Sequence, residues 1–158
     1  IEKYDNLVVS RTLSKAWGLA GLRLGYMVGN QEVVSFLNKI KLPYNVNSLS
    51  QSLGIRALEN FERMKVIVEQ ILDQRSWLES RLKDLGLNVF PSEANFLLAR
   101  MDGVCGDLAG RVVKILAEEE GIVIRDFSSR PRLKNCFRIT VGNPKQNQLL
   151  IQSLTSVL

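Results

Sequence analysis

One short segment of the chain concentrates the residue types that can do chemistry. Lys15 follows the hydroxyl residues Thr12 and Ser14, and Arg23 comes shortly after it. Hydroxyls and a guanidinium are donors that suit a phosphate, and the small residues between them let backbone come close to a ligand. A lysine amine held near a cation in such a loop can react with the aldehyde of a cofactor. The segment therefore predicts a phosphate-binding loop that carries a nucleophilic lysine.

The same residues also fit an ordinary surface loop. A Ser-Lys pair beside glycines is common in exposed, charged loops. Arg23 could pair with a carboxylate at the edge of a strand. The pattern alone leaves both interpretations open.

The composition excludes several kinds of catalytic and metal-binding site. The 158 residues include no histidine, which excludes Ser-His-Asp and Cys-His sites and most zinc sites with nitrogen ligands. Cys105 and Cys136 have no CxxC spacing, so we expect two buried thiols in a reducing, cytoplasmic setting rather than a disulfide framework. We expect no metal site.

Charge and hydropathy patterning indicate a soluble globular protein. The chain is 46% hydrophobic and 23% charged, and its apolar runs are too short to cross a bilayer. The net charge of +5 is mild, and basic residues are interleaved with acidic ones as on a solvated surface. We therefore expect neither a membrane nor a nucleic acid as partner. No export signal is visible in the sequence. The chain begins with Ile1 rather than Met, so we treat it as a possible fragment.

The lysine segment must be positioned by the elements on either side of it. It is predicted to lie between two strands, at residues 6–10 and 22–28. Asn30 is expected to cap a helix that ends before Pro43 and turns one apolar face inward. That face comprises Val33, Val34, Phe36, Leu37 and Ile40.

A long helical region follows. It is expected to start at Ser48 or Ser50, to pause near Asn60 and to end with Gly86 as its C-cap. Its apolar stripe comprises Met64, Ile67, Ile71, Leu78, Leu82 and Leu85. A helix of this length usually joins two parts of a protein, so we predict three regions. These are residues 1–47, the connecting helical region 48–85 and a small domain at 86–158.

Residues 86–158 are expected to form a compact α+β domain within an α/β protein. Strands are predicted at 87–90, 95–99, 121–125 and 136–141, with a helix at 107–120 and another at the end of the chain. Asn143 and Pro144 supply the cap and the first position of that last helix. The close spacing of the strands favours a small sheet covered on one face by helices.

The segment at residues 12–26, which reads TLSKAWGLAGLRLGY, resembles the cofactor-lysine signature of a known family. The family is the fold-type I aminotransferases that use pyridoxal 5'-phosphate (PLP), and the likeness is closest to those acting on histidinol phosphate. It continues in order through four more segments and spans nearly the whole chain. These are PYNVN at 43–47, EANFLL at 93–98, GIVIR at 121–125 and FRITVG at 137–142.

The resemblance implies a cofactor, a reaction and the roles of the loop residues. Lys15 would attach to PLP and move the proton at the substrate Cα, while Thr12, Ser14 and Arg23 would hold the cofactor phosphate. The reaction implied moves an amino group between histidinol phosphate, a phosphorylated amino alcohol, and 2-oxoglutarate, a 2-oxo acid, in histidine biosynthesis. The resemblance also implies a homodimer.

The same resemblance implies that Arg125 and Arg138 bind the acidic end of the substrate. A phosphate or a carboxylate accepts bidentate guanidinium bonds, so two arginines on adjacent strands would orient it. Arg138 alternates with the apolar residues Phe137 and Ile139 and is expected to point away from them. A solvated basic rim remains the alternative, because three further basic residues crowd the same stretch.

Members of this family carry further cofactor-binding residues ahead of the lysine, and these are not in this chain. One is an aspartate that pairs with the pyridine nitrogen and keeps the ring an effective electron sink. We therefore expect the C-terminal portion of a longer enzyme, inactive on its own. An aminotransferase for aromatic or other amino acids and a threonine-phosphate decarboxylase are alternatives, as is a non-catalytic module that binds anions or nucleic acid.

Overall fold

The computed structural model describes residues 3–103 and 106–158. The chain divides into two compact units, one reaching Val68 and the other comprising Glu69–Leu158. Across the described ranges, no helix combines the length and the hydrophobicity needed to cross a bilayer.

The first unit contains a two-stranded antiparallel sheet that flanks the lysine segment. β1 (Val8–Thr12) pairs with β2 (Gly25–Gly29). The strands expected at residues 6–10 and 22–28 therefore exist, but both begin later in the chain. Their bounds are set by pairing between the strands, which hydrophobic patterning does not record.

Three helices follow this sheet in the chain. They are α1 (Gln31–Ile40), α2 (Ser48–Glu59) and α3 (Phe61–Asp84). Asn30 caps α1 by accepting a hydrogen bond from the Glu32 backbone amide at 2.9 Å. Asn47 caps α2 by accepting from the Ser50 backbone amide at 2.8 Å. The predicted cap at Asn30 is confirmed, and of the two predicted starts for the next helix the structure has Ser48.

The apolar face expected for α1 is only partly buried. Val33, Val34 and Leu37 are half-buried, whereas Phe36 and Ile40 are 63% and 65% exposed. The prediction is wrong for those last two residues. They lie at one edge of an apolar stripe that is wider than the contact α1 makes with β2.

The long helix α3 is buried along only part of its length. The expected pause before it is confirmed, because Asn60 is the C-cap of α2. Leu78 and Leu82 are fully buried in the core of the second unit, whereas Ile67 is 39% exposed. A continuous apolar stripe thus predicts the helix correctly without showing which of its turns have a packing partner.

The second unit is a four-stranded antiparallel sheet with helices packed on one face. Its elements are β3 (Asn88–Val89), β4 (Phe96–Arg100), α4 (Leu108–Glu118), β5 (Arg125–Asp126), β6 (Cys136–Thr140) and α5 (Pro144–Val157), and the strand order is β3-β4-β6-β5. Leu97, Ala99, Phe137 and Ile139 pack from the sheet into one core with residues of α3, α4 and α5. The expected small sheet covered on one face is confirmed.

The strand expected at residues 121–125 is wrong in its extent. Gly121 follows α4 with a φ of +66°, and the Ile122 backbone amide donates to the Leu116 carbonyl at 2.8 Å. The Ile122 amide bonded in this capping turn is therefore not available to pair with a neighbouring strand. As a result, β5 contains only Arg125 and Asp126.

Candidate active site

Lys15 lies on a tight loop between β1 and β2. The Leu13 backbone amide donates to the Leu24 carbonyl at 3.1 Å, and the Leu13 carbonyl accepts from the Leu19 amide at 3.0 Å. The Gly18 amide donates to the Lys15 carbonyl at 2.9 Å, with a φ of +66° that favours glycine. The Leu13 side chain is buried and that of Lys15 is exposed. The loop is therefore anchored by its backbone and by one apolar side chain while it presents the lysine outward.

The two hydroxyl residues lie side by side immediately before the lysine. The Thr12 hydroxyl donates to the Ser14 hydroxyl oxygen at 2.9 Å and accepts from the Ser14 backbone amide at 3.1 Å. Arg23 has a left-handed φ of 52°, and its Nη1 donates to the Ala20 carbonyl at 3.3 Å. Among the described residues Arg23 forms no ion pair, so the carboxylate partner that the sequence allowed is not observed.

Two residues of α2 hold this loop, and sequence reasoning missed both. Ser50 is 4% exposed, and its hydroxyl donates to the Leu22 carbonyl at 3.0 Å. A Cβ at Gly54 would overlap Cδ2 of Leu24, so a larger residue would force that side chain of the loop to shift. Small residues four apart share one face of a helix and permit such a close approach. That spacing is the signal that could have found them.

Arg125 and Arg138 lie directly opposite each other on β5 and β6. Opposed residues of an antiparallel pair share one face of the sheet. Arg138 is half-buried, and its neighbours Phe137 and Ile139 are buried in the core on the other face, as the alternation predicts. The structure thus brings these two arginines together on the sheet face that lies away from the helices.

Aromatic rings support both guanidiniums. Cζ of Arg138 lies 4.9 Å from the ring centroid of Phe96 and 5.7 Å from that of Phe127. Cζ of Arg125 lies 5.5 Å from the Phe127 centroid. The Nε of Arg138 is buried and has no hydrogen-bond partner in the part of the chain that the structure describes. A buried donor without a protein partner fits a site whose acceptor comes from a ligand.

An exposed ion pair and a buried thiol account for the shifted pKa values of the sheet. Hydrogen bonds from the Arg100 guanidinium and then from the Asn88 side-chain amide hold the pKa of Asp102 below its usual value. Burial raises the pKa of the Cys136 thiol, which is fully enclosed as expected. Cys105 lies outside the described residues.

The sequence segments that build these two sites match a known family. The model for aminotransferases of class I and II matches residues 1–154. The chain belongs to that family. A histidinol-phosphate aminotransferase of Flavobacterium johnsoniae is 41% identical over 156 residues, which are 98% of this chain and 43% of that protein. The chain thus spans less than half the length of this curated aminotransferase.

Solved structures share the fold of this chain. The histidinol-phosphate aminotransferase of Sinorhizobium meliloti in complex with PLP matches with a TM-score of 0.83 at 29% identity, over 97% of this chain and 41% of that one. The L-threonine-O-3-phosphate decarboxylase of Porphyromonas gingivalis matches with a TM-score of 0.79 at 29% identity, over 99% and 48%. The expected mixed fold, that of part of a fold-type I aminotransferase, is confirmed.

Proposed function

We propose that the protein containing this chain moves an amino group between histidinol phosphate and 2-oxoglutarate with PLP as its cofactor. The observation that carries the proposal is the grouping of Lys15 with the adjacent Thr12 and Ser14 hydroxyls and with Arg23 on one loop. The 41% identity to the histidinol-phosphate aminotransferase of Flavobacterium johnsoniae supports the choice of substrate.

The chemistry of this donor set fits PLP. Phosphate oxygens accept from hydroxyl and guanidinium donors, and Thr12, Ser14 and Arg23 would hold the phosphate in this way. Within the described structure the Ser14 hydroxyl accepts from Thr12 and donates to no protein group, so its proton is available to a phosphate oxygen. The exposed Lys15 amine is available to the cofactor aldehyde. When bound, PLP supplies an electron sink for the pair released at the substrate Cα.

Lys15 would then transfer the proton, and the two arginines would bind the substrate. The Lys15 Nζ would take the proton from the substrate Cα as a general base and then, as a general acid, deliver it to the bound cofactor. Arg125 and Arg138 bind the anionic end of the substrate by charge-assisted hydrogen bonds and so orient it before the proton moves.

The proposal extends to domains and partners. Residues 1–47 belong to the cofactor-binding domain, 48–85 form the connecting helical region, and 86–158 form the small domain. The family supports a cytoplasmic homodimer whose partners are small molecules rather than nucleic acid or membrane.

A threonine-phosphate decarboxylase is the second candidate. The structure of that enzyme from Porphyromonas gingivalis matches this chain over 99% of its length. Its substrate also carries a phosphate, so an arginine pair serves both reactions equally. The two candidates differ in product, because only the decarboxylase releases carbon dioxide.

Chemical labelling of the complete protein tests the assignment of the lysine. Borohydride treatment after loading with PLP, followed by peptide mapping, is expected to place the pyridoxyl label on Lys15. Lys15→Ala should lose both label and turnover, whereas the control Lys39→Ala, in an exposed residue of α1, should keep both. A label found mainly on another lysine would contradict the assignment. Transamination of histidinol phosphate, set against carbon dioxide release from threonine phosphate, then separates the two candidate functions.

A further inference from the structure

The loop after β5 brings a third guanidinium to the ring that supports the arginine pair. Cζ of Arg130 lies 4.8 Å from the Phe127 centroid, closer than that of Arg125 or Arg138. We propose that Arg130 is a third anion-binding residue of this site, that Phe127 positions all three guanidiniums, and that the ligand is the dianion of a phosphate monoester. This inference rests on the proposed function, which makes the arginine pair the anion site for substrate.

Backbone hydrogen bonds fix both the ring and the third arginine. The Phe127 amide donates to the Cys136 carbonyl at 2.9 Å and extends the pairing of β5 with β6 by one residue. The Arg130 amide donates to the Phe127 carbonyl at 2.9 Å and closes a turn. This turn brings the chain back so that the Arg130 side chain covers the ring. The position of Arg130 is therefore built into the loop.

Three cations around one ring repel one another unless an anion joins them. Like charges placed directly opposite in an antiparallel pair are destabilising, and Arg125 faces Arg138 in this way. In residues 3–103 and 106–158, none of the three arginines forms an ion pair. The adjacent carboxylate of Asp126 instead accepts from the Ser128 backbone amide at 2.8 Å. No carboxylate of the described residues is therefore in direct contact with the three guanidiniums, and a bound anion would supply that contact.

The number of guanidiniums favours phosphate over carboxylate. A carboxylate offers two oxygens, which two arginines satisfy, whereas a phosphate monoester offers three acceptor oxygens and nearly two negative charges. The buried and unpartnered Nε of Arg138 adds a donor that faces no protein acceptor in the described chain. A third arginine should therefore matter more for a phosphate substrate than for a carboxylate one.

The loop also supplies a matched control. Lys134 is exposed, and no aromatic ring in the described residues lies under its ammonium group. Lys134→Ala removes a single positive charge from the same loop, as Arg130→Ala does, so it accounts for the general loss of attraction for anions. Any excess effect of Arg130→Ala belongs to direct contact with the anion.

Kinetics of the complete protein test the inference. Arg130→Ala should raise KM for histidinol phosphate about tenfold, the size expected when one charge-assisted hydrogen bond is lost. It should leave kcat and the KM for 2-oxoglutarate, the carboxylate substrate, nearly unchanged. Arg130→Lys should restore part of the loss, because an ammonium keeps the charge without the planar fork. Phe127→Leu should raise KM for both substrates, because Arg125 and Arg130 lose the ring that supports them and Arg138 keeps only that of Phe96.

Phosphate binding gives a readout that does not depend on turnover. Titration with inorganic phosphate, followed by its phosphorus NMR signal, should show weaker binding for Arg130→Ala than for Lys134→Ala. Equal changes in these two variants, in both KM and phosphate binding, would overturn the role of Arg130. If Arg138→Ala weakens both substrates while Arg130→Ala changes neither, this inference fails and the proposed anion site stands. If Arg138→Ala also changes neither, the proposed anion site itself is wrong.

Discussion

Replacing Ser50 with alanine tests whether α2 holds the lysine loop in place. The Ser50 hydroxyl donates to the Leu22 carbonyl at 3.0 Å and accepts from the Asn47 side-chain amide at 3.1 Å, at a residue that is 4% exposed. Ser50→Ala leaves the part-buried Leu22 carbonyl without this donor. An unsatisfied buried group of this kind costs about 1–3 kcal/mol of unfolding free energy.

Helix propensity acts in the opposite direction, so the variant needs a matched partner. Alanine is the better helix former by roughly 0.5 kcal/mol, which offsets part of the loss. Ser52 is an exposed residue of the same helix whose hydroxyl makes no hydrogen bond in the described part of the chain. Ser52→Ala therefore gains the propensity and loses nothing else. The difference in stability between the two variants isolates the contribution of the buried hydroxyl.

Urea unfolding and amide hydrogen exchange measure the two consequences separately. Ser50→Ala should unfold at a lower urea concentration than Ser52→Ala, and the amides of residues 22–24 should exchange faster in it. PLP should also bind more weakly to Ser50→Ala, because Arg23 lies within the loosened stretch. Equal stability and equal exchange in the two variants would refute the idea that α2 fixes the loop.

Two further predictions concern the other close contact of α2 and the exposed ion pair. Gly54→Ala should lose about 1–3 kcal/mol of stability through the overlap of its Cβ with the Leu24 side chain and regain about 1 kcal/mol of helix propensity, so it should be less stable than Gly21→Ala, which has open space, in the same urea assay. The pKa of Asp102 is lower folded than unfolded, so its ion pair with Arg100 stabilises the protein above the ordinary pKa of 3.8 and loses that effect as the pH falls through the folded value. The unmutated protein should therefore have a larger free energy of unfolding than Asp102→Asn near neutral pH, and this difference should shrink in acid. A difference that does not change with pH would contradict the stabilising role of the ion pair.

Helix ends were the most predictable part of the fold, because capping is local. Asn143 accepts from the Gln146 backbone amide at 3.0 Å, the Gln146 side chain accepts from the Asn143 amide at 2.9 Å, and Pro144 occupies the first helical turn. All the groups involved lie within four consecutive residues, so the sequence pattern contains the whole interaction. Strand bounds were less predictable, because a strand ends where its partner ends and the partner is distant in the chain.

In the candidate sites, too, local contacts were easier to predict than contacts between residues distant in the chain. The lysine loop is one contiguous segment, so the sequence shows which residues share it, although their spacing alone left an ordinary surface loop as an alternative. The role of Ser50 was not predicted, because its hydrogen-bond partner Leu22 lies 28 residues earlier in the chain. The alternation of residues along β6 predicts which face of the sheet Arg138 lies on. The position of Arg130 depends instead on the shape of a turn, which hydrophobic periodicity does not predict.

The two candidate sites would hold anions by different physical means, and this difference predicts different effects for their variants. The lysine loop relies on backbone bonds and on its contact with α2, so loss of Ser50 should act on PLP and leave the substrate's anion site unaffected. The arginine cluster places like charges together, and the Phe127 ring offsets part of that repulsion until an anion arrives. Loss of Phe127 should therefore act on the substrate KM and leave PLP binding nearly unchanged. Opposite effects in these two variants would assign the loop to the cofactor and the cluster to the substrate without any assumption about the reaction itself.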